Sequence, residues 1–221
     1  MQFELDHVFV CTDPGAPEAE EFIRFGLREG PPNTHPGQGT ENRRFAFANA
    51  MIELLWVSDR AEAQSENTRR TLLWERWSGR RSGASPFGVC LRPADSQSPA
   101  AAQSGSQFPG WDYKPSYLPE PLVLRIGDAT VAEPMWVYLD FLRREYREAN
   151  FVEHPAGIRE ITGLSLNTPA PLRSEALRIA AENGVLSTRP ASESLLEIEF
   201  DRLRRGQSKD FRPALPLVFH F

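Results

Sequence analysis

Residues 35–57 read HPGQGTENRRFAFANAMIELLWV, a loop that runs into a hairpin. Phe45 and Phe47 alternate with small Ala46 and Ala48, Asn49-Ala50 makes the turn, and Met51 to Val57 form the return strand. Upstream, FELDHVFVC (3–11) reads as a strand stopped by Pro14 and Gly15. APEAEEFIRFGL (16–27) places Phe22, Ile23, Phe25 and Leu27 near one side of a helix. Residues 28–40 form a Gly-, Pro- and Asn-rich loop.

Downstream, ENTRRTLLWERWS (66–78) suits a helix and PFGVCLRP (86–93) a strand. Residues 94–110 are Ser, Ala, Gln, Pro and Gly with almost no large apolar residue, the composition of a flexible junction. WDYKPSYLP, PLVLRIGD and EPMWVYLDF follow as extended segments. REYRE (144–148) reads as a solvated helix face. HPAGIREITGLSLNTP (154–169) ends in a strand, and APLRSEALRIAAENG (170–184) is a helix with Pro171 in its first turn and Gly184 at its stop. LLEIEFD and LPLVFHF read as strands. Strand ITGLSLNTP, helix, loop and strand LLEIEFD repeat the order LDHVFVC, helix, loop, MIELLWV. The fold class expected is α+β, with modules over 1–93 and 119–221 joined by a junction at 94–118.

The chain has 221 residues and a net charge of −5. A chain this long buries roughly 70% of its unfolded surface and needs no staples. The acidic balance argues against nucleic acid or an anionic membrane as partner. The pairs Arg43-Arg44, Arg80-Arg81, Arg143-Arg144 and Arg204-Arg205 are short and scattered, and read as solvated. No apolar run approaches the length of a membrane span, and the N-terminus is no signal peptide, so a cytoplasmic setting is expected. Cys11 and Cys90 lie in apolar strands and read as reduced core residues. A Cys11–His7 dyad fails on geometry: four residues along one strand span roughly 13 Å.

LDHVFV, HPGQGTENRRFAF, IELL and HPAGIREITGLSLNTP resemble the vicinal oxygen chelate superfamily, and within it the glyoxalase-like domain proteins. The resemblance implies two βαβββ-type modules forming a curved mixed sheet around a ligand cleft, the glyoxalase/bleomycin-resistance/dihydroxybiphenyl dioxygenase fold. In metal-using members the ligands come from the first and last strands of both modules, usually His and Glu. That implies His7 and Glu53 from the first module and Glu197 from the second, with zinc, nickel, manganese or iron as the divalent ion. Glu53 and Glu197 are the implied proton shuttles. No second histidine stands in EITGLSL, where Gly163 occupies the ligand position; if PFGVCLR is the matching strand, Gly88 does. A metal-free site is therefore the parallel expectation.

Gly37 and Gly39 free backbone N–H groups to face an anion, and Asn42, Arg43 and Arg44 add donors. Only one of the two adjacent arginines faces the cleft. His35, Asn42 and Arg43 are the candidates for a polar head, and Trp111 and Tyr113, after the junction, for a lid. Trp56, Trp74, Trp77, Tyr117 and Trp136 are further candidate walls. Two functions follow: a lyase-, isomerase- or dioxygenase-type enzyme acting on a small carbonyl or carboxylate compound, or a resistance-type protein that sequesters a small molecule. Either would be a monomer or homodimer.

Overall fold

The computed structural model describes residues 2–94, 108–169 and 171–221. The strands are β1 (Phe3–Cys11), β2 (Asn33–His35), β3 (Thr40–Ala46), β4 (Met51–Val57), β5 (Phe87–Pro93), β6 (Trp111–Tyr113), β7 (Leu124–Ile126), β8 (Met135–Tyr138), β9 (Ile161–Thr168), β10 (Ser187–Pro190), β11 (Leu195–Phe200), β12 (Ser208–Asp210) and β13 (Leu217–His220). The helices are α1 (Ala19–Phe25), α2 (Arg60–Ala63), α3 (Leu73–Gly79), α4 (Arg144–Ala149) and α5 (Glu175–Glu182). The expected junction falls largely on 95–107, outside the described residues.

The first sheet has eight strands in the order β2-β3-β4-β1-β5-β8-β7-β6. Its halves repeat one another. β1 pairs parallel with β4, and β4 continues antiparallel through β3 to β2. β5 pairs parallel with β8, and β8 continues antiparallel through β7 to β6. The halves meet along the antiparallel β1–β5 pair. The curved two-module sheet is thus present, and its second module runs from β5 to β8.

This corrects the repeat drawn from LLEIEFD. β7 and β8 belong to the first sheet, while β9 to β13 form a separate five-stranded sheet, ordered β10-β9-β11-β13-β12. β9 meets β11 antiparallel, whereas β1 meets β4 parallel, so the two stretches share an order of elements and not a topology.

One apolar core lies between the sheets. Val8, Val10, Ile52 and Leu54 from the first pack in the same cluster as Leu164, Leu166, Leu196, Ile198 and Phe219 from the second. Phe22 of α1 joins them, its ring 5.0 Å from Phe45 and 5.2 Å from Phe219. Because strand side chains alternate, residues of opposite parity face away from this core. His7, Phe9, Met51, Glu53 and Leu55 therefore face the outer side of the first sheet, and Glu197 and Glu199 the outer side of the second.

Three predicted helices start later than expected: α1 begins at Ala19, and two others begin later still. The 66–78 segment breaks at Leu72, which takes a left-handed φ of 57° between a short 3-10 turn and α3. Thr71 supports the break: its hydroxyl donates to Thr68 O and accepts from Leu73 N–H. α5 begins at Glu175 because the Ser174 side chain caps Leu177 N–H at 3.2 Å. Capping satisfies a first-turn donor directly, which Pro171 does not do. The αL turn at Gly184 ends that helix, as expected.

Candidate active site

A cavity of about 260 Å³ opens on the outer face of the first sheet. Its floor is His7, Phe9, Met51, Glu53, Leu55 and Cys90; Asn33, His35, Gln38 and Arg44 form a polar side. Leu118, Leu124, Met135, Val137, Leu139, Phe141 and Leu142 make it mainly apolar. The volume lies at or below the lower end of typical ligand pockets, roughly 300–1,000 Å³, which suits a small molecule.

The centre of the floor is set by a β-bulge. Register shifts between Leu5 and His7 where β1 crosses β5, and Asp6 has no partner in the ladder. A bulge re-aims the side chains beside it. Asp6 is completely buried and accepts from His7 Nδ1 at 2.6 Å, Arg92 Nη1 at 3.1 Å and Arg147 Nε at 3.0 Å. A second Arg147 nitrogen, Nη2, bonds its other oxygen. Burial opposes the charge, but His7 and Arg147 outweigh it and hold the carboxyl well below the usual carboxylate range. The carboxylate fixes the Nδ1–H tautomer of His7 and leaves Nε2 toward the cavity. Nε2 stands 4.0 Å from Glu53 Oε2, beyond a direct hydrogen bond. Burial lowers the proton affinity of His7, yet Cys90, Glu53 and Asp6 raise it further, so the net shift is well upward. Burial keeps Cys90 in its thiol form, its value raised.

His35 is a buried, neutral member of the polar side. Burial depresses its pKa, and it meets Thr40 Oγ1 at 2.9 Å and Asn33 Nδ2 at 3.1 Å. Its ring lies 4.7 Å from that of Tyr117. Tyr117, not Trp111 or Tyr113, closes this edge, with Leu118 beside it. Trp111 instead lines a separate cavity under Arg70, and Tyr113 is buried with its hydroxyl near Thr68. The two residues expected to cover the cleft do not line it; Tyr117 and Leu118 do. β6 pairs with β7 at the sheet's edge, where Tyr113 packs into the apolar cluster of Phe9, Leu55 and Leu124 beside the cavity and lines no part of it.

Arg43 is likewise corrected. It turns away from the cleft and pairs with Glu29 at 2.6 Å and Glu20 at 3.1 Å. Arg44, the cross-strand partner of Glu53, is the arginine that faces the cavity. Asn42 shares the Arg44 face but lies fully buried, and neither carboxamide atom has a hydrogen-bond partner among the described residues. Arg147 departs from the solvated face expected over 144–148: it is buried on Asp6.

Glu197 is not in this site. It faces the opposite outer surface, where it meets His220 Nε2 at 2.7 Å and Asn167 Nδ2 at 2.5 Å. Two sheets and the shared core separate it from His7 and Glu53. His154 serves the backbone, accepting from Arg28 N–H and donating to Ala46 O.

The profile of the glyoxalase-like domain family matches residues 5–117. This chain belongs to that family. The match takes in His7, Glu53, Cys90 and Tyr117 and stops before Arg147. No curated protein matches the chain. A solved structure of a hypothetical protein from Staphylococcus aureus aligns over 100% of this chain and 99% of that one, at 12% identity and a TM-score of 0.51. At that identity the likeness shows the fold alone.

The family's metal centre draws donors from both modules, and this site does not fit it. The first module offers His7 and Glu53. At the equivalent places of the second, β5 turns the Cys90 thiol inward, and β8 with the residue after it offers Met135, Val137 and Leu139. No group of three or more His, Cys, Asp or Glu side chains is placed to hold a metal ion among the described residues. Gly88 is no vacant ligand position either: a Cβ there would fall 1.9 Å from the Phe9 ring, so the glycine makes room for a cavity wall.

Proposed function

We propose that the cleft binds a small, mainly apolar molecule carrying a carbonyl or carboxylate, and that His7 and Glu53 move a proton on it without a family-type metal. The observation that carries this reading is the His7–Asp6 pair, locked from behind by two buried arginines and aimed at Glu53 across a 4.0 Å gap. Opposed acid and base groups around one point are the signature of proton transfer. His7, as imidazolium, donates to the carbonyl oxygen. Glu53 takes a proton from the neighbouring carbon, and the enolate charge rests against His7. Arg44 receives a carboxylate head by a charge-assisted bond. Arg44 thus takes the role first assigned to Arg43, and Glu53 alone carries the proton shuttling first assigned to it and Glu197.

The apolar lining also favours a simpler reading on the same cleft, sequestration without chemistry. Solvent-exchange NMR separates the two. A panel of 2-oxo acids and hydroxyketones in D2O, with chelator present, is expected to lose C–H signal next to the carbonyl in the presence of wild type. His7→Gln and Glu53→Gln are expected to slow that exchange by about 10²-fold or more. Binding without exchange supports sequestration. Exchange that requires an added divalent ion overturns the metal-free reading.

A further inference from the structure

Cys90 is the one side chain of the cavity floor with nucleophilic chemistry that the proton-transfer reading leaves unused. It is the direct cross-strand partner of His7, so the thiol and the imidazole stand side by side on one face of the sheet. Both line the cavity. His7 is in turn held by Asp6 at 2.6 Å, and Asp6 by Arg92 and Arg147. A nucleophile beside a proton carrier that a third group orients is the general arrangement for covalent catalysis. The bulge at Asp6 sets Asp6 and His7 side by side on β1, with Cys90 opposite His7 on β5. Cys11 provides the contrast. It lies at another cavity, near Arg80, whose lining includes no histidine.

We propose that Cys90 captures the carbonyl carbon of a small aldehyde in the cleft as a hemithioacetal, with His7 and Asp6 as its proton relay. The proposal rests on the cleft being a carbonyl site. In the step, the sulfur–carbon bond forms as the S–H bond and the carbonyl π bond break. The π pair moves to oxygen, which takes the proton held by His7; His7 recovers the thiol proton. Asp6 keeps the imidazole in register throughout. Nothing is oxidised or reduced, and the adduct reverts by the same path. Arg44 meets a carboxylate on the same aldehyde, which makes glyoxylate a suitable probe.

The test is 13C NMR of the whole protein with glyoxylate labelled at the aldehyde carbon, at about pH 8.5, near the ordinary thiol value. Wild type is expected to show a protein-bound, sulfur-substituted carbon signal that disappears when glyoxylate is removed. Cys11→Ser retains it. Cys90→Ser and Cys90→Ala lose it, the alanine variant preserving a small apolar side chain if serine unsettles the strand. His7→Gln slows both formation and decay of the adduct at least about tenfold, read by exchange between free and bound signals. A signal that persists in both Cys90 variants overturns the proposal. Glyoxylate that binds wild type, seen by line broadening, without forming the adduct overturns the proposal alone and leaves proton transfer standing. No binding at all overturns the carbonyl reading with it.

Discussion

Asp6→Asn keeps the shape of the side chain and deletes its charge. In the native protein that charge is completely buried and faces Arg92 and Arg147, whose side chains are 1% and 7% exposed. Arg92 retains Glu4 at 2.9 Å and Asn49 O at 3.0 Å. Among the described residues, Arg147 retains a 3.8 Å contact to Met51 Sδ, the face of Tyr146 and the more distant charge of Glu53. The substitution therefore strands a buried guanidinium, and removing one partner of such a pair costs about 3–5 kcal/mol. For a chain of this size that is a fall of about 6–20 °C in Tm, at about 2–4 °C per kcal/mol. Arg147→Met removes the stranded group instead. Asp6 keeps His7 and Arg92, so the cost is about 1.5–3 kcal/mol, that of a charged hydrogen bond. The double variant should lose less than the sum of the two, since both act on one network. Urea denaturation of the wild type and three variants measures this cycle. A loss below about 1 kcal/mol for Asp6→Asn, or strict additivity, would refute the argument that the carboxylate organises the site.

Stability should depend on pH from both sides. His7 has a raised folded value, so its contribution is complete below the ordinary imidazole value and fades as pH rises through the folded one. Thermal melts should fall from neutral to alkaline pH in wild type and fall less in His7→Gln. Asp6 is depressed, so its contribution holds above the ordinary carboxylate range and is lost as pH drops below it, a loss Asp6→Asn should not show. Gly88→Ala should push the Phe9 ring into the cavity, weakening ligand binding in calorimetry at a stability cost of about 1–3 kcal/mol. Glu197→Gln should alter the His220 resonance and leave binding in the first-sheet cleft unchanged.

The first module was legible because its strands are long and its signals local. FELDHVFVC and MIELLWV carry their apolar pattern over 9 and 7 residues. β6, β7 and β8 have only 3 or 4 residues each, between prolines and glycines, too short for a periodicity to declare itself. The second module was therefore sought in ITGLSLNTP and LLEIEFD. A difference between the glutamates was nevertheless present in the sequence. Glu197 and Glu199 alternate with Leu196, Ile198 and Phe200, the pattern of a strand with one wet face. Glu53 interrupts a continuous apolar run, and β4 is buried along its whole length. Asp6 alternates with Glu4 in the pattern of a wet face, so its complete burial was not legible in the sequence. The choice between Arg43 and Arg44 depends on which of them lies opposite Glu53, a cross-strand register that spacing does not reveal. The neighbourhood of Cys90 was hidden for the same reason: its partner His7 lies 83 positions away in sequence and one strand away in space.

Chelator-treated, isotopically labelled protein titrated with a 2-oxo acid in two-dimensional NMR decides whether the first-sheet cleft is a metal-independent site centred on His7. The structure predicts saturable binding that added zinc does not strengthen. Perturbations should centre on His7, Arg44, Met51, Cys90 and Leu139, with loss of the effect in His7→Gln. Binding that appears only with a divalent ion, or perturbations gathered around Gly163, Glu197 and His220, would contradict it.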